Sequence, residues 1–267
     1  MSSQQALQTL KPVTLITGAS SGIGAALARV FAAHGHELAV TARRREPLDA
    51  LAADLVKAGH KAPHVVTADL ADRDGPVALA EALAAQGLEP AVVVNNAGFG
   101  LYGAAASLDI GEQLAVIDLD ARAVTELSLR FADSVKRHRG GILNVASIAG
   151  FLTGENMAVY FASKAYVVSL SQALHRELAP HGVKVSALCP GPVRTAFFGR
   201  AGMGPKIFPS FLYMPADAVA RAGYDGFMRG KRIIIPGFMP KLVVTLERFF
   251  PGLMQARHGT QTARARR

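Results

Sequence analysis

Tyr160 and Lys164 are the residues whose types and spacing most directly suggest chemistry. They are four positions apart, so on a helix the phenol and the ammonium group share one face. A phenol with an ordinary pKa of about 10 exchanges protons poorly at neutral pH. A neighbouring ammonium group stabilises the phenolate and lowers that pKa, so the pair can act as a general acid or base. A tyrosine and a lysine at this spacing are more often a surface helix pair, and only the surrounding pattern decides between the two.

A glycine-rich turn near the N-terminus has the properties of a phosphate-binding loop. Gly18, Gly22 and Gly24 follow an apolar run and precede a helical stretch. Small residues permit a tight turn, let backbone N–H groups approach a pyrophosphate and direct a helix N-terminus at the anion. The spacing Gly-x-x-x-Gly-x-Gly differs from the commoner dinucleotide pattern, and a purely structural turn is the alternative. We expect dinucleotide phosphates to contact Gly18, Ser20, Ser21, Gly22, Ile23 and Gly24.

The residues after the second apolar run indicate which dinucleotide binds. A site for NAD carries an acidic residue there, which accepts a hydrogen bond from the ribose 2′-hydroxyl. This chain instead has Arg43, Arg44 and Arg45. Arginine pairs with phosphate through charge-assisted, bidentate hydrogen bonds. We therefore expect Arg43, assisted by Ser20, to bind the 2′-phosphate of NADP(H); the alternative is a solvated charge run at the start of a helix.

The elements that must position these residues alternate between apolar strands and helical stretches. Most strands are continuous apolar runs, as expected when both faces of a sheet are covered. Such alternation forms right-handed βαβ units, so we predict one α/β domain with a doubly wound, Rossmann-type, mostly parallel seven-stranded sheet and helices on both faces. The predicted strands are Val13–Thr17, Glu37–Thr41, His64–Ala68, Ala91–Val94, Gly141–Ala146, Val183–Leu188 and Arg232–Ile235, and the predicted helices are Gly22–His34, Arg45–Ala58, Arg73–Gln86, Gly111–Lys136, Ala158–His181 and Pro215–Arg229.

Composition restricts the class of protein. The chain has 267 residues, 50% of them hydrophobic and 18% charged, which suits one large domain over residues 1–250. Cys189 is the only cysteine, so we expect neither a disulfide framework nor a multi-cysteine metal site. This composition fits a reducing, cytoplasmic compartment. The net charge of +9 comes partly from residues 251–267, which we expect to be a basic, disordered tail. No nucleic-acid-binding module accompanies the charge, so we expect no nucleic-acid partner.

Five motifs taken together resemble those of the short-chain dehydrogenase/reductase family. They are Thr17–Gly24, Asn95–Gly98, Ser147, Tyr160 with Lys164, and Pro190 with Gly191, and their order and spacing match the family from about Val13 to Ile235. Each motif is weak alone, and their common register carries the resemblance. It implies an oxidoreductase that transfers a hydride between a nicotinamide and a carbonyl or alcohol carbon. Together with Arg43, it predicts an NADP-preferring reductase of the bacterial type.

The resemblance also implies roles for individual residues. Tyr160 would give or take the substrate proton, Lys164 would hold the nicotinamide ribose, and Ser147 would donate a hydrogen bond to the substrate oxygen. Asp69 would contact the adenine, and Thr195 the nicotinamide carboxamide. The other cofactor contacts that the resemblance implies are Leu70, Asn96, Ala97, Gly98, Pro190, Gly191 and Val193.

One position departs from the family pattern. The family usually has Asn in the helix after the fourth strand, where it belongs to a water-linked proton path to the lysine, and Asp120 stands at that position here. As an anion, Asp120 could still hold the relay water, pair with Lys164 and alter the pKa of Tyr160. The alternative is an impaired relay and a slow protein.

Large apolar residues are expected on the substrate side, namely Phe99, Phe151, Met157 and Phe197. They predict an apolar ketone, aldehyde or secondary alcohol as substrate, unless they only pack a flap or a subunit interface. Residues 199–214 contain three glycines and several large apolar residues, so we expect a flap there. Residues 239–250 are amphipathic and predict a helix that packs on the core or on another subunit, or that contacts a membrane surface.

Two alternatives to this enzyme are open at the level of sequence. One is an NADP(H)-binding sensor or scaffold with little turnover, which Asp120 favours and the intact Ser147, Tyr160 and Lys164 oppose. The other is a membrane-surface reductase of lipid or acyl carbonyl groups. Neither a secretory signal nor a long uncharged apolar run is visible, which fits the cytoplasmic expectation. The resemblance further implies a homodimer or homotetramer.

Overall fold

A computed structural model describes residues 10–203 and 208–250. Its strands are β1 (Lys11–Thr17), β2 (Leu38–Ala42), β3 (His64–Thr67), β4 (Leu88–Asn95), β5 (Gly141–Val145), β6 (Lys184–Leu188) and β7 (Ile233–Ile234). They form one sheet in the order β3-β2-β1-β4-β5-β6-β7, and every neighbouring pair is parallel. The predicted seven-stranded parallel sheet is therefore confirmed, and the strand ends shift by only a few residues.

Helices cover both faces of the sheet, as the doubly wound prediction requires. They are α1 (Gly22–Ala33), α2 (Arg45–Lys57), α3 (Gly75–Ala85), α4 (Ile110–Ile117), α5 (Ala123–Arg130), α6 (Ala132–Arg137), α7 (Ala158–Leu178), α8 (Phe197–Arg200), α9 (Ala216–Met228) and α10 (Phe238–Phe249). On one face α1, α2 and α9 contribute Phe31, Leu48 and Phe227 to a buried cluster. On the other face α3, α5 and α7 bury side chains against a second cluster.

The strands read as continuous apolar runs because each has a hydrophobic cluster on both sides. In β1 the neighbours Leu15 and Ile16 are both fully buried, but Ile16 packs into the cluster with α1 and Leu15 into the cluster with α3. Successive side chains of a strand point to opposite faces, so alternation is lost from the sequence when both faces are covered. Burial of each such side chain stabilises the fold by about 1.5–3 kcal/mol.

The strand order reverses at β1. This strand pairs with β2 on one side and with β4 on the other, so the connections that leave β1 and β4 diverge from each other. In open α/β sheets the divergence creates a crevice outside the carboxyl ends of the strands, where ligands bind. The loops that follow β1, β2, β4 and β5 all open towards this crevice.

The predicted single helix over Gly111–Lys136 is wrong in detail. The chain forms α4, then a π-helical turn at Asp118–Arg122, then α5 and α6. A π turn inserts an extra residue into a helix and changes the direction of the side chains in it, and such turns are frequent at functional sites. Here the turn buries Asp120 completely towards the sheet.

The predicted flap at 199–214 is only partly described. Its first residues belong to α8, which begins two residues before position 199. Its last residues form a short helical turn at Ser210–Leu212 and a parallel bridge between Val193 and Met214. Residues 204–207 and the predicted basic tail 251–267 lie outside the described residues. The helix predicted at 239–250 is confirmed as α10. No helix in the described part of the chain is long and apolar enough to cross a membrane.

Candidate active site

The glycine loop after β1 is held in place by the loop after β4. Gly18 has φ +64°, and a Cβ there would lie 2.8 Å from the Cα of Ala97. The side-chain amide of Asn96 donates to the carbonyl oxygens of Thr17, at 2.9 Å, and of Gly18, at 3.2 Å. The Thr17 hydroxyl accepts from the backbone N–H groups of Asn96 and Ala97. Close backbone approach and a left-handed conformation both require glycine at position 18.

One cavity of about 1470 Å³ occupies the crevice at the carboxyl ends of the strands. The structure brings most of the predicted site residues to its wall. From the predicted cofactor set these are Gly18, Ser20, Ser21, Gly22, Ile23, Arg43, Asp69, Leu70, Asn96, Ala97, Gly98, Pro190, Gly191, Val193 and Thr195, and from the predicted catalytic and substrate sets Ser147, Tyr160, Lys164, Met157 and Phe197.

Four predicted site residues do not line this cavity. Gly24 lies beneath the loop, where a Cβ would collide with the Gly18 carbonyl oxygen and the Asn96 amide, so its role is to let α1 pack closely. Asp120 is fully buried behind the wall. Phe99 and Phe151 are partly buried against the hydrophobic clusters that flank the sheet, so their predicted contact with substrate stays a prediction.

Ser147 and Tyr160 are brought together by the end of β5 and the first turn of α7. Ser147 follows β5, and its hydroxyl accepts from the Ala149 N–H at 3.1 Å, which caps the short helical turn at Ile148–Phe151. The Ser147 side chain lies close enough to Tyr160 to lower the pKa of the phenol by hydrogen bonding. Two hydroxyl groups from different elements therefore converge at one point of the cavity wall.

Lys164 lies one turn further along α7, beneath the Tyr160 ring. Its Nζ is 5.6 Å from the centre of that ring, donates to the Val145 carbonyl oxygen at 3.3 Å, and lies 2.9 Å from Oδ2 of Asp120. The other Asp120 oxygen accepts from the Phe99 N–H at 3.0 Å. The pairing of Asp120 with Lys164 that the sequence suggested is present as a buried ion pair.

The electrostatic environment of Tyr160 differs from the simple expectation. Burial raises the pKa of Tyr160 above its ordinary value; Lys164 opposes this shift, Asp120 adds to it, and the hydrogen bond with Ser147 opposes it. The net shift is upward, although the influence of Lys164 has the predicted sign. Burial lowers the pKa of Lys164, but the charge and hydrogen bond of Asp120 together with the Tyr160 hydroxyl outweigh it, so the net shift is upward and keeps Lys164 protonated.

A glycine next to the ion pair explains how it fits. A Cβ at Gly98 would lie 2.9 Å from Oδ1 of Asp120 and 3.2 Å from Nζ of Lys164. Any other residue there would press on both charged groups. Gly98 therefore lines the cavity and also leaves room for the ion pair.

The far end of the cavity, beyond β2 and β3, is basic. Arg43 and Arg44 both line it, and neither is buried. The guanidinium group of Arg43 lies 3.9 Å from the Asp69 carboxylate, at the limit of an ion pair. Asp69 also accepts from the Ala71 N–H at 3.1 Å, which holds its side chain at the end of β3. This end presents more positive than negative charge.

The opposite end is apolar, and part of its wall was missed from sequence. Met157 packs with Met203, and Tyr160 and Phe197 pack against them with ring centres 5.2 Å apart. Further lining comes from Leu152, Phe161 and Leu212, and from Met239, Pro240, Val243 and Glu247 of α10. The amphipathic pattern of 239–250 predicted the helix, but no local signal showed that it closes the cavity.

Two observations argue against a cysteine nucleophile and against a metal site among the described residues. Burial raises the pKa of the Cys189 thiol to about 12, so at neutral pH it is a protonated, buried group and no nucleophile. Within residues 10–203 and 208–250, no three His, Cys, Asp or Glu side chains are grouped as metal ligands.

The residues present fit a dinucleotide. Backbone from the glycine loop and the N-terminus of α1 reaches the cavity, which suits a pyrophosphate, and Asp69, Leu70 and Asn96–Gly98 line the adjoining wall. Pockets for one small ligand measure about 300–1,000 Å³. A volume of about 1470 Å³ therefore has room for a dinucleotide together with a substrate.

Comparison with known proteins identifies the family. The family model for short chain dehydrogenase matches residues 12–204. D-threitol dehydrogenase from Mycolicibacterium smegmatis is 34% identical over 224 residues, which cover 79% of this chain and 83% of the relative. The structure of a short-chain dehydrogenase from Sphingobium yanoikuyae in complex with NADPH is 34% identical with a TM-score of 0.79, and the match covers 94% of this chain and 96% of that one. The bulky-bulky ketone specific alcohol dehydrogenase from Comamonas testosteroni is 31% identical with a TM-score of 0.75, and the match covers 95% of each chain.

The family match and the geometry agree. The matched residues include the glycine loop, Ser147, Tyr160 and Lys164, which the structure gathers around one cavity. The chain therefore belongs to the short-chain dehydrogenase/reductase family and is an NAD(P)-dependent oxidoreductase.

Proposed function

We propose that the chain interconverts an apolar ketone or aldehyde and the corresponding alcohol with NADP(H), and that Tyr160 is its general acid or base. The observation that carries the proposal is the convergence of Ser147, Tyr160 and Lys164 on a cavity whose basic end is formed by Arg43 and Arg44. When bound, the nicotinamide supplies or accepts the hydride.

The proton step depends on three side chains. A substrate oxygen placed beside the Ser147 and Tyr160 hydroxyls, which both line the cavity, would receive a hydrogen bond from each. Tyr160 gives its proton to that oxygen during carbonyl reduction and takes one back during alcohol oxidation. The positive charge of Lys164, 5.6 Å from the Tyr160 ring centre, lowers the free energy of the phenolate that forms.

The choice of NADP(H) depends on charge at the end of β2. Structural relatives of this chain hold either NADPH or NADH, so the preference must come from its own residues. Arg43 and Arg44 line the cavity there, and Asp69, the nearby carboxylate, already faces Arg43. Guanidinium groups suit a 2′-phosphate, and a neutral 2′-hydroxyl gives them no charged partner. Equal or better use of NADH by the purified protein would refute this preference.

The substrate class follows from the apolar end of the cavity. Met157, Phe161, Phe197 and Met203 form a wall of large apolar side chains beside Tyr160. Such a wall stabilises a bulky hydrocarbon or aromatic group attached to the carbonyl carbon. The similarity to a bulky-bulky ketone specific alcohol dehydrogenase supports this assignment, whereas the similarity to D-threitol dehydrogenase points to polar alcohols as the alternative class.

The experiment is a spectrophotometric screen of NADPH oxidation against aliphatic, aromatic and polar carbonyl compounds. Tyr160→Phe should abolish turnover of every active substrate and leave NADPH binding intact. Tyr166→Phe is the matched control, because Tyr166 lies on the same helix with an exposed phenol that contacts Thr125. Tight NADPH binding without turnover on the whole panel would replace the enzyme by the sensor or scaffold.

A membrane-surface variant of this function has one observation in its favour. The exposed side of α10 carries Phe238, Lys241, Leu242, Arg248 and Phe249, without a carboxylate, and the same helix lines the cavity. A helix face of apolar and basic residues suits the surface of an anionic bilayer. Co-sedimentation with vesicles of phosphatidylglycerol, but not of phosphatidylcholine, would support this variant, and loss of binding in a Phe238→Ser, Phe249→Ser double variant would assign it to α10.

The predicted homodimer or homotetramer has a candidate surface elsewhere. Ile110, Leu114 and Ile117 on α4, Leu129 on α5 and Tyr166 on α7 are exposed apolar residues. The helices α4 and α7 also pack on each other. A shared apolar surface of this kind is typical of subunit contacts. Light scattering of wild type and of an Ile117→Asp, Leu129→Asp variant would test whether the assembly uses it.

A further inference from the structure

Arg200, the last residue of α8, is a basic residue that the proposed function does not use. It lines the same cavity as Arg43 and Arg44, although it is more than 150 positions away from them in the sequence. Its guanidinium carbon lies 5.5 Å from the centre of the Phe99 ring, a cation–π contact. It makes no salt bridge with any of the residues that the structure describes.

The charges around Arg200 do not balance. Arg200 is exposed overall, but partial desolvation lowers its pKa and the neighbouring charges of Arg43 and Arg44 lower it further, while Asp69 and Asp120 oppose these effects. Asp69 already faces Arg43 at 3.9 Å, and Asp120 is committed to Lys164 at 2.9 Å. All three guanidinium groups thus line one cavity, and the two nearby carboxylates already have cationic partners. A bound anion would relieve their repulsion.

The position of α8 places Arg200 near the phosphate loop. A Cβ at Gly22 would lie 3.0 Å from Cγ2 of Thr195, so the segment that leads into α8 passes directly over the loop. The Thr195 hydroxyl accepts from the Phe197 N–H at 3.3 Å at the start of α8, and the Tyr102 N–H donates to the Ala201 carbonyl oxygen at 2.8 Å beyond its end. The first bond is local to the start of α8, and the second ties the end of the helix to the loop after β4.

We propose that Arg200 binds a phosphate group of the dinucleotide, reaching it from α8. The proposal rests on the dinucleotide function proposed above. Arginine offers paired N–H donors that match phosphate oxygens. The ligand chemistry is a phosphate dianion or diester, and its two sources are the 2′-phosphate, present only in NADP(H), and the pyrophosphate, present in both nicotinamide dinucleotides.

The contact has a consequence for the substrate end of the cavity. Arg200 and Phe197 lie on the same helical turn of α8, and the Phe197 ring centre is 5.2 Å from that of Tyr160. A phosphate that holds Arg200 also holds Phe197 against Tyr160. The apolar wall beside the reacting carbon is then completed by the cofactor, so cofactor should bind before substrate.

The test is calorimetric titration of NADPH and of NADH into wild type, Arg200→Gln and Arg200→Lys. Arg200→Gln should weaken NADPH about tenfold, and Arg200→Lys should fall between it and wild type, because lysine keeps the charge and loses the paired donors. Arg194→Gln is the matched control: Arg194 is an exposed residue of the same segment that donates to the Ser210 carbonyl oxygen and does not line the cavity. The Kd of the control for NADPH should stay within about twofold of wild type, because Arg194 does not reach the cavity. The expected tenfold loss in Arg200→Gln corresponds to about 1.4 kcal/mol and is clearly distinguishable from that.

Each outcome decides between sources or refutes the contact. A loss confined to NADPH assigns Arg200 to the 2′-phosphate, and an equal loss for both dinucleotides assigns it to the pyrophosphate. The proposal is overturned if Arg200→Gln binds both dinucleotides as wild type does, or if Arg194→Gln loses as much affinity as Arg200→Gln. In either case NADPH binding by wild type leaves the proposed function standing. If wild type binds neither dinucleotide, the proposed function fails and this contact with it.

Discussion

Replacing Asp120 by Asn removes a buried negative charge and nearly preserves the size of the side chain. The carboxylate is fully buried and its Oδ2 lies 2.9 Å from Nζ of Lys164. At that separation two unit charges attract by about 6 kcal/mol at an effective dielectric constant of about 20, before the cost of desolvation is subtracted. Removing one member of a buried pair typically costs about 3–5 kcal/mol, so we expect the free energy of unfolding to fall by about that amount at neutral pH.

The same substitution should move the pH dependence of the reaction. Burial raises the pKa of Tyr160, and the negative charge of Asp120 raises it further, so Asp120→Asn lowers the Tyr160 pKa. Alcohol oxidation requires the deprotonated phenol, and its rising limb should move to lower pH. Carbonyl reduction requires the protonated phenol and is lost as the pH rises through the pKa, so this loss should also move to lower pH.

The assay is log(kcat/KM) against pH in both directions, combined with urea unfolding of each variant. The matched control is Asp118→Asn, since Asp118 lies on the same π-helical turn but is only half-buried and pairs with Arg122 at 2.8 Å. The control should leave both limbs in place and change stability by about 1 kcal/mol or less, as is usual for an ion pair near the surface. An unchanged profile in Asp120→Asn, with stability lowered, would show that the carboxylate is structural and uncoupled from the proton step.

Three further substitutions test other parts of the site and core. Arg43→Gln should raise the Kd of NADPH by about tenfold or more and leave the Kd of NADH unchanged, because a hydrogen bond to a charged group contributes about 1.5–3 kcal/mol. Calorimetric titration of both dinucleotides measures this, and equal losses for NADPH and NADH would contradict it. Ser147→Ala should lower kcat by about 10²–10³ through loss of a hydrogen bond to the developing oxyanion, with an unchanged thermal unfolding curve as its control. Phe227→Ala should lower the free energy of unfolding by about 3–5 kcal/mol in urea titration, because the ring is 1% exposed and packs between the sheet and α1, and a loss below about 1 kcal/mol would contradict that packing.

The parts of the site that could be predicted from sequence are those carried by short local patterns at strand ends. Gly18–Gly24, Arg43 and Ser147 each follow a predicted strand, and parallel strands bring their carboxyl ends to one edge of a sheet. Tyr160 and Lys164 are one helical turn apart, so their relation needed only a helix. Correct strands were therefore sufficient to place these groups around one crevice.

The features that sequence could not place depend on how helices pack and turn. Phe99 and Phe151 follow the same strands as cavity-lining residues but pack against the hydrophobic clusters, and nothing local distinguishes the two directions. The π-helical turn at Asp118–Arg122 interrupts a pattern that reads as one long helix. It forms where Asp120 is held by Lys164 and the Phe99 N–H, and both partners are distant in sequence.

The sequence by itself determined the sheet, the phosphate loop, the basic residues beyond β2 and the family of the chain, because these depend on periodicity and on residue types at fixed local spacing. The tertiary structure alone decided that burial overrides Lys164 and raises the pKa of Tyr160, that α10 lines the cavity, and that Arg200 lines the same cavity as Arg43 and Arg44. These properties depend on desolvation and on charges from elements far apart along the chain. Both are fixed only when the helices have packed.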